Sequence, residues 1–126
     1  MIDQIIALKE KHDIVETDAT RERQIDWYNY CIKNGLLITE FIGDRLVGFL
    51  EYIFIRKVPK NMAELDETVL NSGPVLLVCN CVADSKDILW KMKKKLFCRE
   101  WKYMVWHRKK TDVMKVFKNI RRKYAV

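Results

Sequence analysis

Apolar residues at the start of the chain recur at helical spacing. Ile2, Ile5 and Ile6 share one face of a helix predicted over residues 2 to about 12, and Ile25, Tyr28 and Ile32 do the same for a second helix. Gly35 follows the second helix and is a natural stop, because glycine accepts the left-handed conformation that ends many helices. The pattern then changes from helical to extended. Residues 36–42 and 45–55 are rich in β-branched and aromatic side chains and flank a two-residue Gly43-Asp44 connection, which predicts a hairpin. Gly48, inside the second strand, marks a bulge or a close backbone approach.

A polar stretch over residues 56–73 separates the hairpin from the apolar run 74–83, whose near-continuous apolarity predicts a strand buried on both faces. Asp84 or Ser85 can cap a following helix. That helix turns Ile88, Leu89, Met92 and Leu96 inward and Lys86, Lys91, Lys93, Lys94 and Lys95 mostly outward. Residues 102–107 read as another strand, so a strand-helix-strand unit with parallel pairing is expected. Thr111 and Asp112 then open a predicted last helix carrying Val113, Val116, Phe117, Ile120 and Tyr124 at helical spacing. The implied architecture is α/β (α+β). Two N-terminal helices precede a hairpin and a β-α-β-α C-terminal part, arranged around a mixed central sheet.

At 126 residues and 49% hydrophobic composition, with only 4 Gly and 2 Pro and no internal repeat, the chain is expected to form one domain over residues 1–126. No run is long and apolar enough to span a bilayer and the start lacks a secretory pattern, so a cytoplasmic protein with no membrane partner is expected. Cys31, Cys79, Cys81 and Cys98 have no metal-ligand spacing with each other or with His12 and His107, and they read as buried or inert thiols rather than disulfides or metal ligands.

The net charge of +7 is unevenly distributed. From Lys86 onward there are 15 Lys or Arg against 3 Asp or Glu, whereas the first 85 residues hold 9 against 14. The C-terminal half is where an anionic ligand would go, and the field alone does not choose among nucleic acid, an acidic protein and a phosphorylated cofactor; the alternative is a solvated basic face that aids solubility.

The element order, and above all the Gly43-Asp44-Arg45-Leu46-Val47-Gly48 hairpin followed by residues 75–120, resembles the GNAT (N-acetyltransferase) superfamily. Residues 88–97 are also similar to a helix of the toxin-activating acyltransferases, a divergent branch of it. The first resemblance implies acetyl-CoA binding where the buried strand turns into the next helix, at Val82, Ala83, Ser85 and Lys86. It places the cofactor in a V-shaped opening between the strand ending near Ala83 and residues 103–107. The family's Arg/Gln-x-x-Gly-x-Gly/Ala loop is replaced by Val82-Ala83-Asp84-Ser85-Lys86-Asp87, which has no glycine to let backbone N–H groups approach a pyrophosphate. Ser85, Lys86 and the helix N-terminus remain as anion donors, with Asp84 and Asp87 opposing them. Phe117 stands where many members carry a proton-donating tyrosine, which leaves Tyr124 as a substitute. Glu40, Glu51 and His107 are general-base candidates that also read as ordinary strand residues, the two glutamates facing solvent. The acyltransferase branch would need a His and Asp pair. His12 is on the first helix, and the expected acidic position falls near Val78, so the pair is not visible and that specific activity is disfavoured.

Two functions follow from this reading. One is an acyl-CoA-dependent N-acetyltransferase with a degenerate cofactor loop, with Glu51, His107 and Tyr124 as catalytic candidates. The other is an inactive GNAT-fold binding or assembly module, of a kind often encoded by phages. It would hold nucleic acid or an acidic protein through Lys93, Lys94, Lys95, Arg108, Lys109, Lys110, Arg121, Arg122 and Lys123, with Trp90, Trp101 and Trp106 interleaved. Acceptor identity and oligomeric state are not legible.

Overall fold

The computed structural model describes residues 1–14, 20–61, 73–108, 111 and 113–118. Among them are three helices and five strands, in the order α1 (Ile2–Lys11), α2 (Arg21–Lys33), β1 (Leu37–Ile42), β2 (Arg45–Ile55), β3 (Val75–Ala83), α3 (Lys86–Phe97), β4 (Tyr103–Arg108) and β5 (Val113–Lys118). The strands form one mixed sheet in the order β1-β2-β3-β4-β5. The described residues of Met1–Glu51 and Asn80–Cys98 form one compact unit, and those of Tyr52–Cys79 and Arg99–Val126 form another. No helix among the described residues is long and apolar enough to cross a membrane.

In the first unit, α1 buries Ile5, Ile6 and Leu8, and α2 is capped by the Thr20 hydroxyl, which accepts from the Arg23 N–H at 3.2 Å. The buried face of α2 is Tyr28 and Cys31, while Ile32 is exposed. This departs from the predicted Ile25, Tyr28, Ile32 stripe. The aromatic pair Trp27 and Tyr28 both reach a carboxylate on β2, and that anchoring turns Ile32 outward. Gly35, at φ +66°, ends α2 in a Schellman motif: the Leu36 N–H bonds the Cys31 carbonyl at 2.9 Å and the Gly35 N–H bonds that of Ile32 at 3.4 Å.

The hairpin pairs Ile42 with Arg45 across Gly43-Asp44 and carries a bulge, since Glu40 faces Gly48 while Phe41 faces Leu46. The extra residue, Val47, lets Leu46 and Phe49 share one face although they are three apart. Both belong to a cluster with Ile5, Leu8, Tyr28 and Val82. The opposite face meets α3 at Gly48, where a Cβ would lie 2.6 Å from Ile88 Cγ2 and 3.2 Å from Met92 Sδ and Cε. The expected bulge and the expected close approach therefore occur together. Met92 and Leu96 of α3 are fully buried, and Ile88 and Leu89 are half-buried.

In the second unit, residues 75–78 of β3 are buried and pair in parallel with β4, from Val75 opposite Tyr103 to Val78 opposite Trp106. β4 pairs antiparallel with β5 over six residue pairs, from Tyr103 opposite Lys118 to Arg108 opposite Val113. The predicted last helix is thus a strand where it is described. Apolar residues at 113, 114, 116 and 117 fit a helix as readily as a strand. The free edge of β4 decides the matter, because its backbone groups need partners and β-branched Val113 and Val116 suit a strand. Ile120 and Tyr124 lie outside the described residues.

Candidate functional site

Two polar constellations stand out in the first unit. The first is buried. Glu51 is only 1% exposed; Trp27 Nε1 donates to its Oε2 at 2.5 Å, Tyr28 OH donates to Oε1 at 3.4 Å, and Asn80 Nδ2 also donates to Oε1. Lys9, 2% exposed, donates to Tyr28 OH at 3.0 Å and to Gln24 Oε1 at 3.4 Å. Strand alternation predicts Glu51 at solvent. It is buried instead because the bulge shifts the alternation and α2 covers the face it occupies. Trp27, Tyr28 and Asn80 all donate to this buried carboxylate, as a buried acceptor requires. Burial, with Glu51 nearby, pushes the Cys31 thiol up to about 12.

The second constellation lies at the turn from β3 into α3. α1 ends in another Schellman motif, in which the Ile14 N–H bonds the Lys9 carbonyl at 2.9 Å and the Asp13 N–H bonds that of Glu10 at 3.1 Å, with Asp13 at φ 57°. Asp tolerates that conformation better than most residues. The motif fixes His12 at the helix C-terminus. On the opposing turn, the Asp84 N–H donates to the bulged Val47 carbonyl at 2.9 Å, and the Ser85 hydroxyl caps α3 by accepting from the Ile88 N–H at 3.3 Å. His12 Nε2 and Lys11 Nζ each lie 2.9 Å from Asp84 Oδ1. Hydrogen bonds from His12 and Lys11 hold the Asp84 carboxyl below its ordinary range.

A His–Asp pair is therefore present, although its acid is not at the strand position near Val78 but at Asp84, just beyond the end of β3. Its members are 72 residues apart and sit at the ends of two helices, so no spacing in the sequence announces it. A cavity of about 480 Å³ opens beside the pair, lined by His12, Ile14, Cys81, Val82, Ala83, Ser85, Lys86 and Leu89. All four residues expected at a cofactor turn, Val82, Ala83, Ser85 and Lys86, line this one cavity. Burial pushes the Cys81 thiol up to about 11 against the opposing influence of Lys93, so at neutral pH it is a wall rather than a nucleophile. On the other side of Asp84 a smaller cavity of about 190 Å³ is lined by Gln4, Ala7, Leu8, Lys11, Arg45, Leu46 and Asp84.

The other candidates are more scattered. His107 is half-buried on β4 opposite Met114, in the second unit. Glu40 is ion-paired with Lys95 at 2.6 Å. Phe117 lies on β5, and Tyr124 is outside the described residues. In the expected basic surface, Lys93 is half-buried, Lys95 is committed to Glu40, and Lys94 Nζ lies 5.8 Å from the Trp90 ring centroid. Trp90 is 57% exposed, Trp101 is buried, and Trp106 is half-buried with its indole N–H on Met104 Sδ at 3.1 Å. Trp101 is therefore a core residue and not part of an aromatic stripe. Arg108 is the last residue of β4; Lys109, Lys110, Arg121, Arg122 and Lys123 lie outside the described residues. The four cysteines are free thiols; Cys31 is buried, Cys79 and Cys81 are half-buried, and Cys98 is exposed.

The crystal structure of an N-acetyltransferase from Staphylococcus aureus Mu50 superposes on this chain with a TM-score of 0.56. The fold is GNAT-like. The sequences are 15% identical, and the match spans 83% of this chain and 66% of that enzyme, just under two thirds of its length. At that identity the likeness concerns the fold and not the activity. No protein-family model matches the chain, and neither does any curated protein sequence.

Proposed function

We propose that the chain is an acyl-CoA-dependent N-acyltransferase that uses the β3–α3 turn as its donor site and His12, oriented by Asp84, as its general base. The observation that carries this reading is the single cavity holding both His12 and the four turn residues Val82, Ala83, Ser85 and Lys86. The turn has no glycine, but its chemistry suits an anionic donor. Asp84, which would otherwise repel phosphate, already has His12 and Lys11 on its carboxylate, while the exposed Lys86 begins the helix whose positive end faces the turn. With Nε2 engaged by Asp84, Nδ1 is the nitrogen left to take a proton from an attacking amine. The amine nitrogen then bonds to the thioester carbonyl carbon, the carbon–sulfur bond breaks, and the proton on His12 returns to the departing thiolate. Glu51 is engaged by Trp27, Tyr28 and Asn80 and, like His107, is not needed for this step.

The test is release of free thiol from acetyl-CoA and from a long-chain acyl-CoA in the presence of a mixed pool of small primary amines. The reading requires wild-type turnover that falls by about 10²–10⁴-fold in His12→Ala, the usual range for losing a general base. Equal turnover by both proteins would remove His12 from the reaction. A second reading, a basic binding module, draws on the exposed Trp90 with Lys94 beside its ring; it predicts salt-sensitive binding of single-stranded nucleic acid that Trp90→Ala weakens.

A further inference from the structure

The smaller cavity on the far side of Asp84 has a charge pattern of its own. Its floor is apolar, made by Ala7 and Leu8 of α1 and Leu46 at the start of β2, and its polar lining includes Lys11, Arg45 and Asp84. Lys11 is already shared with Asp84, whereas the Arg45 guanidinium makes no hydrogen bond or ion pair with any other described residue. Two cations, one carboxylate and an apolar floor complement a molecule that carries a carboxylate, an ammonium group and a short hydrocarbon branch on adjoining atoms. The volume of about 190 Å³ is below the usual range of roughly 300–1,000 Å³ for drug-sized ligands, so the occupant is small.

We propose that this cavity binds a free α-amino acid with a medium-sized apolar side chain, and that this is the acyl acceptor. Arg45 and Lys11 take the carboxylate, Arg45 through the two-point geometry that guanidinium offers, and the side chain lies on Ala7, Leu8 and Leu46. Asp84 draws the ammonium group toward the carboxylate that also holds His12; for acyl transfer the ammonium first releases one proton to solvent, and the second passes through His12 to the departing thiolate. The acceptor assignment rests on the acyltransferase reading above; the binding assignment does not.

The two assignments are tested apart by titrating the ¹⁵N-labelled full chain, without any CoA compound, with L-leucine, leucinamide and 4-methylpentanoate. L-leucine should give saturable shifts at the Ala7, Leu8 and Leu46 amides. The amide lacks the carboxylate and the acid lacks the ammonium group, so each should bind at least about tenfold more weakly, as expected when one charge-assisted contact is lost. Arg45→Ala should weaken L-leucine by a similar factor while leaving the rest of the spectrum unchanged, which shows that the variant is folded. No saturable shift with L-leucine, or leucinamide binding as tightly as L-leucine, overturns the proposal. Leucine binding without thiol release would remove the acyltransferase reading and leave the amino-acid site standing. Thiol release with other amines but no leucine binding would do the reverse.

Discussion

Replacing Gly48 by alanine probes the packing that holds the β3–α3 turn in place. The added Cβ would sit 2.6 Å from Ile88 Cγ2, closer than non-bonded carbons approach, and 3.2 Å from both Sδ and Cε of Met92. Met92 is flexible and its thioether end can move aside. The Ile88 methyl cannot: it is a branch on Cβ, held in the single side-chain rotamer that a helix favours. α3 must therefore shift as a body against β2. Such overpacking costs about 1–3 kcal/mol, offset by roughly 0.4–1 kcal/mol from the loss of glycine's freedom in the unfolded chain. A net destabilisation of about 1–2 kcal/mol is expected, read as a lower urea midpoint at unchanged slope. Ile88→Ala removes the clashing methyl, so Gly48→Ala made in that background should cost less than it does in the wild type. A Gly48→Ala protein as stable as wild type or more so would refute the close approach, as would equal costs in the two backgrounds.

Asp84→Asn should flatten the acid limb of the stability profile. The folded-state carboxyl is held below its ordinary range, so its contribution is fully present above about pH 4 and is lost as pH falls through the folded value; urea midpoints between about pH 5 and pH 2 should fall more steeply in wild type than in the variant. The thiols should separate by reactivity. At pH 8 the exposed Cys98 should react with a thiol reagent in the native protein, whereas Cys31 and Cys81, pushed up to about 12 and about 11, should react only on unfolding. Rapid native labelling of Cys31, followed by peptide mass spectrometry, would contradict the burial described for it. Ser85→Ala should lower stability by about 0.5–2 kcal/mol through loss of the α3 cap, measured by the same denaturation; a neutral result would mean the Ile88 N–H finds another acceptor.

What the sequence makes legible is what local chemistry decides. The periodicity of α1, the Gly43-Asp44 connection, the apolar run of β3 and the serine ahead of α3 each carry their own signal, and each element forms at that place. Gly48 is legible too, because a glycine inside a strand has few reasons to be there. The misreadings occur where distant partners decide. Residues 113–118 are a strand because β4 has an edge to fill; their apolar spacing fits either element, and only β-branched Val113 and Val116 lean toward a strand. Glu51 is buried because a bulge four residues earlier changes which face it occupies and because Trp27, Tyr28 and Asn80 wait there with donors. The β3–α3 turn could be placed in the chain, but the residues set against it could not: Asp84 reads as a residue that repels an anion until α1 is seen to end with Lys11 and His12 against it.

The proposed acyl transfer requires this turn to engage an acyl-CoA donor despite having no glycine. Calorimetric titration of the full chain with acetyl-CoA and with CoA, at moderate salt, tests it most directly. Binding in the micromolar range is predicted, weakened by about tenfold or more in Lys86→Glu, where a charge reversal at the helix N-terminus faces the phosphates. No heat of binding with either compound at millimolar concentration, or equal affinity in wild type and Lys86→Glu, would contradict it.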